Sequence, residues 1–278
     1  EDSNFGFMCD VGGKGKGNQD SALYNEFNLI MAPGAPDTKE FSYKCILALV
    51  CDGVSASNHG EKGSSFVIKV LGSKIMNILM LENFEPSLMA GKLKQAIEET
   101  NNELLSKYKK FVDVGKVPKT TLVGLLVVGQ YLWVFNLGDS RAFLLKDQLI
   151  GQISIDHVGT GAAHEITEAM GQQPINPAIN FYNWAFENDQ TATQQAFQNN
   201  YYALICSDGL TDVVGTEEIK SHLLDNKINS LQQKTKKLYD LTMERGIDDN
   251  VSIIALDLAN YLSNLSKVHV LKLSRQMK

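Results

Sequence analysis

Along this chain, short continuous apolar runs alternate with longer stretches in which apolar residues recur every third or fourth position. CILALVC (45–51), TLVGLLVV (121–128), YLWVFNL (131–137), YYALIC (201–206) and VSIIAL (251–256) are runs of the first kind. They predict strands buried on both faces, since a strand covered on one face would alternate apolar with polar. Phe66, Val67, Val70, Leu71, Ile75, Ile78 and Leu79 form one helical stripe, and Leu93, Ala96, Ile97, Leu104 and Tyr108 another. Both stripes have Lys and Glu opposite, which predicts two helices with core-facing sides. Glu85-Pro86-Ser87 supplies a start for the second, because proline is tolerated in a first turn. Further helices are predicted near Thr216–Leu224 and Ser230–Arg245.

From Thr120 the strand-like runs are separated only by Gly129-Gln130, Gly138-Asp139 and Lys146-Asp147. Breaks that short predict an antiparallel meander. The region from FGFMCD to about Val50 reads as strand, glycine-rich loop (GGKGKGNQD), then more strands, and Gly171 to Asn200 reads as polar loop with little core. With no internal repeat and no clear linker, residues 1–260 are expected to form one α+β domain, helices outside packed sheets. Residues 261–278 are left as a tail; its apolar and basic part, Val268 to Lys278, suits an added strand or helix, or a docking segment.

Composition narrows the function classes. With 278 residues, 44% of them hydrophobic, the chain can fill a sizeable core. A net charge of −6 argues against nucleic acid or an anionic membrane as main partner. No run reads as a membrane span, and EDSNFGFMCD lacks the basic-then-apolar secretory pattern, so a cytoplasmic location is expected. Cys9, Cys45, Cys51 and Cys206 lie in or beside apolar runs without a C-x-x-C pair, which predicts buried free thiols in a reducing compartment. None stands six positions before an arginine, as a cysteine phosphatase would need. Gly12 and Gly17 have the separation of a nucleotide-binding loop, but Asn18 follows where Lys and Ser or Thr belong. The loop's N–H groups with Lys14 and Lys16 could hold an anion, or the loop could simply be solvated.

The candidate chemistry sits where the apolar runs end. One closes on Asp52-Gly53, another on Gly138-Asp139-Ser140 and a third on Asp208-Gly209, while Asp249 opens the last. Each alone is ordinary turn chemistry. Brought together, they would form an all-oxygen cage suited to hard cations such as Mg²⁺ or Mn²⁺.

Five segments carry a resemblance in sequence order: DGVSASNHGEKGS with Gly60, Glu61 and Ser64 in register, KTTLVGLLVVGQYLWVFNLGDSRAFLL, IDHVGTGAAHEITEAMG, CSDGLTDVV and DDNVSIIAL. Together they resemble the metal-dependent Ser/Thr protein phosphatases of type 2C, in their compact bacterial-like form. The resemblance implies a four-layer α-β-β-α sandwich of two mainly antiparallel sheets flanked by helices. It implies hydrolysis of phosphoserine and phosphothreonine in proteins by a hydroxide bridging two Mg or Mn ions, with no covalent intermediate. By position, Asp52 would bridge both metals and the Gly53 carbonyl would bind one; Asp208 and Asp249 would complete the other. Asp139 would join Asp208 at a weaker third site, and Asp20 would bind directly or through water. Asp156 and His157 are taken as structural, with a short helix after them. The partners implied are phosphorylated proteins, with a Ser/Thr kinase opposing the enzyme; a monomer is expected.

Some positions depart from the family pattern. Gly15 stands where an arginine usually grips phosphate, leaving Lys14 and Lys16 to do so without the bidentate fork. Gln19 replaces an acid, Ser55-Ala56-Ser57 replaces a glycine-glycine-histidine, and Glu168 stands where arginine is usual. His59 is the nearest histidine able to protonate a leaving group, but it is shifted in sequence. The alternative is therefore a pseudophosphatase that binds phosphoproteins or partners without turnover.

Overall fold

In β3 (Phe41–Cys51), Cys45, Leu47, Leu49 and Cys51 enter one buried cluster while Ile46, Ala48 and Val50 enter another. The same division runs through β4 (Leu122–Val128) and, with a third cluster, through β9 (Tyr201–Cys206) and β10 (Val251–Asp257). Successive side chains point to opposite faces of a strand, so a run apolar at every position serves two cores at once. The computed structural model describes residues 4–13, 17–31, 41–54, 59–81, 84–112, 115–160, 165–183 and 200–261.

The remaining strands are β1 (Phe5–Asp10), β2 (Ser21–Met31), β5 (Tyr131–Leu137), β6 (Arg141–Lys146), β7 (Leu149–Gln152) and β8 (Ala178–Asn183). They form two five-stranded sheets, ordered β1-β10-β9-β6-β7 and β2-β3-β4-β5-β8, with every neighbouring pair antiparallel. Helices α1 (Gly60–Leu81) and α2 (Pro86–Lys107) cover the second sheet. The short α3 (Asp208–Thr211), with α4 (Thr216–Leu223) and α5 (Leu231–Glu244), covers the first. Three clusters fill the three interfaces of this four-layer α-β-β-α sandwich. The helix stripes read from the sequence fall inside α1 and α2 except for Tyr108, which caps the C-terminus of α2, and the other two expected helices match α4 and α5, the latter capped by Ser230 Oγ accepting from Gln233 N.

Four expectations need correction. The run after Thr120 is not a single meander: β4 pairs with β5 and β6 with β7, but the chain crosses from one sheet to the other between β5 and β6. Two polar residues in a tight break look the same whether they turn a hairpin or change sheets. Within Gly171–Asn200, residues Ala178–Asn183 form edge strand β8, paired to β5. Its side chains are only half-buried or exposed, so it lacks the apolar run that marks a central strand. Where a short helix was expected after His157, residues 158–160 and 165–170 are not helical, Val158 and Ile166 forming an isolated antiparallel bridge, and residues 161–164 lie outside the described residues. Finally, α1 is long and apolar enough to cross a membrane by length and composition, but its apolar stripe is spent against the second sheet.

Tyr261 is buried, with its hydroxyl donating to the Lys44 carbonyl. The rest of the tail, Val268 to Lys278 included, lies outside the described residues. All four cysteines are free, Cys45, Cys51 and Cys206 buried and Cys9 half-buried.

Candidate metal centre

Antiparallel pairing brings one set of strand ends to the same edge of both sheets. Ser21 pairs with Cys51, Leu122 with Leu137 and Val50 with Val123 in the second sheet; Asp10 pairs with Val251 and Arg141 with Cys206 in the first. Asp20 therefore precedes β2, Asp52 follows β3, Asp139 lies between β5 and β6, Asp208 follows β9 and Asp249 precedes β10, all at this edge.

Buried hydroxyls fix the backbone around Asp52. Its N–H donates to Thr121 Oγ1 at 3.0 Å, and its carbonyl accepts from Thr120 Oγ1 at 2.7 Å and Thr121 N at 2.8 Å. Thr121 Oγ1 also bonds Ser140 Oγ at 2.7 Å, tying Asp52 to the turn that carries Asp139. That turn is held from the other side, where His157 N donates to Gly138 O at 2.9 Å and Gly138 N donates to His157 Nδ1 at 3.2 Å. Next to it, Arg141 donates to Asp156 Oδ2 at 2.9 Å from Nε and 2.7 Å from Nη2. Gly53 packs against Gly60 so closely that a Cβ on Gly53 would lie 2.5 Å from the Gly60 carbonyl carbon and 2.7 Å from Gln19 O. No larger residue fits there without moving either Asp52 or the start of α1.

The sheets meet through acids and one serine. Ser207 Oγ accepts from Ser252 N at 3.0 Å and donates to Asp20 Oδ2 at 2.9 Å, linking β9 and β10 to the start of β2. The Asp52 carboxyl lies within hydrogen-bonding reach of those of Asp20 and Asp208. Burial, then the charge of Asp20 and that of Asp208, pushes Asp52 well above the usual carboxylate range, with Asp249 adding to the effect. Burial pushes Asp20 up to about 6, with Asp208's charge in support. Asp139 rises to about 6 for the same two reasons. Asp208 is raised as well, chiefly by burial, with the charges of Asp212 and Asp249 in support.

Among the described residues, Asp20 Oδ1, Asp139 Oδ1 and Asp208 Oδ1 are buried and find no hydrogen-bond partner. Leaving buried carboxylate oxygens unsatisfied is costly unless a cation or proton meets them. Among the described residues no three acids are already drawn up as a closed metal cage; the contacts run pairwise through Asp52. Hard divalent ions keep several waters and need few protein oxygens, so this all-oxygen set fits Mg²⁺ or Mn²⁺.

The other expected site residues fare differently. The Gly53 carbonyl lies in this cluster's backbone, since Gly53 bridges to Thr120. His59 is exposed, with Nδ1 3.3 Å from Glu61 Oε1. Lys14 and Lys16 lie outside the described residues. Glu168 accepts from Asn176 N at 2.7 Å, a backbone partner where an arginine would have needed an acid. Sequence reading missed Thr120, Thr121, Ser140, Ser207 and Asn250. Their only signal is that each small polar residue stands beside or within two positions of an aspartate or a strand end.

The two sheets and the helices on either side define a four-layer α-β-β-α sandwich that gathers acids at one edge. The protein phosphatase 2C family model matches residues 37–243, most of the chain, and the protein belongs to that family. The Ser/Thr protein phosphatase PstP of Mycobacterium tuberculosis is 28% identical over 221 residues, covering 77% of this chain and 41% of that protein. This chain thus spans less than half of that relative's length. The serine/threonine phosphatase stp of Listeria monocytogenes is 23% identical over 222 residues, covering 76% of this chain and 84% of its own length. Among solved structures, a bacterial serine phosphatase superposes with a TM-score of 0.68 at 24% identity, over 91% of this chain and 96% of the other. The PstP catalytic domain in complex with two manganese ions gives 0.66 at 23%, again over 91% and 96%. At these identities the structural likeness carries the fold.

Proposed function

We propose that this chain is a metal-dependent protein-serine/threonine phosphatase, hydrolysing phosphoserine and phosphothreonine in protein substrates. One observation carries the reading: acids from both sheets meet at one edge, with buried oxygens that no group among the described residues satisfies. Asp52, Asp208, Asp249, Asp20 and the Gly53 carbonyl would hold two ions, with Asp139 and Asp208 offering a weaker third place. Bound Mg²⁺ or Mn²⁺ would supply neutralisation of the phosphoryl oxygens and a water acidic enough to ionise near neutral pH. The protein's own part is positional. Thr120, Thr121 and Ser140 hold Asp52 in place, and Ser207 fixes one oxygen of Asp20, leaving the other free to face a cation. Cys51 and Cys206 offer no nucleophile, since burial first, and nearby aspartates after it, push both thiols up; a route without a covalent intermediate suits that chemistry.

Lys14 and Lys16 are proposed to attract the substrate phosphate. His59, bonded to Glu61 on the surface, is a weaker choice for leaving-group protonation. Phosphoprotein substrates, an opposing Ser/Thr kinase, a monomeric state and a cytoplasmic location complete the proposal.

The test is hydrolysis of a phosphothreonine peptide with Mn²⁺, Mg²⁺ or EDTA. Turnover is expected with either metal and none with EDTA. Asp52→Asn and Asp208→Asn should each cost at least the ~10–100-fold that losing an outer partner of a metal ligand costs. Folded protein without turnover in any metal would point instead to a binding-only pseudophosphatase.

A further inference from the structure

The glycine-rich segment between β1 and β2 is rooted on the turn that leads into β10. Asn250, 4% exposed, stands between the two ends of that segment. Its Oδ1 accepts from Gln19 N at 2.8 Å, and its Nδ2 donates to Val11 O at 2.7 Å. Its own N–H donates to Asp249 Oδ1 at 2.8 Å. Backbone packing reinforces the bond pair. A Cβ on Gly12, where φ is +66°, would fall 1.7 Å from Asp249 O, and one on Gly13 would fall 2.1 Å from Ile247 O. These two glycines therefore let the chain lie flat against residues 247–250, which a side chain would prevent. Just past Gln19, Asp20 has one oxygen on Ser207 and the other without a partner.

We propose that Asn250 is a positioning residue whose amide ties both ends of the glycine-rich segment and so sets Asp20 against Asp52 and Asp208. The position needs an acceptor and a donor on one short side chain. Aspartate could keep the Gln19 bond but would face Val11 O with a second acceptor; alanine offers neither bond. Loss of the tie lets Asp20 drift, and the cation-binding oxygens no longer converge. The kinetic consequence rests on the phosphatase reading, whereas the metal-binding and loop consequences do not.

The full chain, Asn250→Ala and Asn250→Asp are to be compared in three ways. Mn²⁺ affinity is measured by calorimetry, kcat and KM on a phosphothreonine peptide across Mn²⁺ concentrations, and hydrogen exchange of the Gln19 amide without metal. Asn250→Ala should weaken Mn²⁺ binding by about tenfold or more. It should speed Gln19 exchange, while excess Mn²⁺ returns kcat towards the parent value. Asn250→Asp should retain Gln19 protection and show an intermediate loss of affinity, and it serves if the alanine variant fails to fold. A lower Tm with unchanged Mn²⁺ affinity would make Asn250 merely structural and overturn the proposal. If the parent binds Mn²⁺ but hydrolyses nothing, the phosphatase reading fails while the affinity comparison still decides the role of Asn250. If the parent binds no Mn²⁺, unchanged Gln19 exchange in Asn250→Ala overturns the proposal by itself.

Discussion

Asp20, Asp52 and Asp208 repel one another in a partly dehydrated place, and their protonation reports that conflict. Their folded pKa values lie above the ordinary carboxylate value, so the folded state binds more protons than the unfolded one. Stability of the metal-free protein from these groups therefore falls as pH rises. For Asp20 and Asp139, both near 6, the fall runs from about pH 4 to a little above pH 6. Asp52→Asn removes one of the carboxyl groups whose ionisation burial opposes. Without metal, this variant should melt at a higher temperature than the parent at pH 7.5, with the gap closing towards pH 4, as read by thermal unfolding in EDTA. Glu99 and Glu218, whose carboxyls are lowered by Lys74 and Arg245 respectively, act in the opposite direction but are common to both proteins and cancel. A parent that outlasts Asp52→Asn at pH 7.5 would contradict the electrostatic account. Asp52, Asp139, Asp208 and Asp249 were legible in the sequence because each charge stands at the edge of an apolar run, whereas Asp20 entered only through the family resemblance. Ser207 and Asn250 were not legible: Ser-Asp and Asp-Asn read as turn chemistry, and their partners, Asp20 and Gln19, lie far away along the chain.

At the scale of elements, what could be read depended on how many residues repeat the signal. α1 and α2 repeat their stripe over several turns, and the central strands are apolar at nearly every position, so their spans were legible. The crossing between β5 and β6 rests on Gly138-Asp139-Ser140 and on bonds to His157 and Thr121, which only the folded chain reveals. The meeting of β3 with α1 was half legible: Asp52-Gly53 and Gly60 were in register with the family pattern, but not their face-to-face contact. That contact makes a specific prediction. A Cβ on Gly60 would lie 2.6 Å from the Gly53 carbonyl carbon and 2.8 Å from its oxygen, both backbone atoms with no rotamer to yield. Gly60→Ala should therefore cost about 1–3 kcal/mol, the usual range for overpacking. Denaturant titration should show a lower midpoint with unchanged slope. Since the wedge displaces the backbone carrying Asp52, Mn²⁺ affinity should fall as well; a variant with parental stability would mean the layers have slack there.

For the whole molecule, the candidate centre is a junction between the two sheets rather than a pocket in one of them. Asp20 and Asp52 come from the second sheet, Asp208 and Asp249 from the first, and Asp139 from the strand connection that joins them. Away from this edge the sheets are held by apolar packing of Ile46, Ala48, Val50, Leu125 and Val127 against Ala203, Ile205, Ile254 and Leu256. The acids oppose that packing, so cations bound at this edge, as proposed, would act as a staple across the sandwich. Binding linkage gives its size: a ligand at a hundred times its Kd adds about 2.7 kcal/mol to stability. For a chain of this size that amounts to a rise of roughly 5 °C in Tm. Two substitutions separate the staple from the packing. Asp208→Asn should keep its Tm in EDTA close to or above the parental value and lose most of the Mn²⁺-induced rise. Leu125→Ala, which opens a cavity between the sheets, should lower Tm with and without Mn²⁺, at a cost of about 2–5 kcal/mol. It should nonetheless preserve the rise itself, because the edge acids are left in place. If Leu125→Ala abolished the rise while Asp208→Asn retained it, the ions would be acting through the core and not through the carboxylates, and the junction described here would be misplaced.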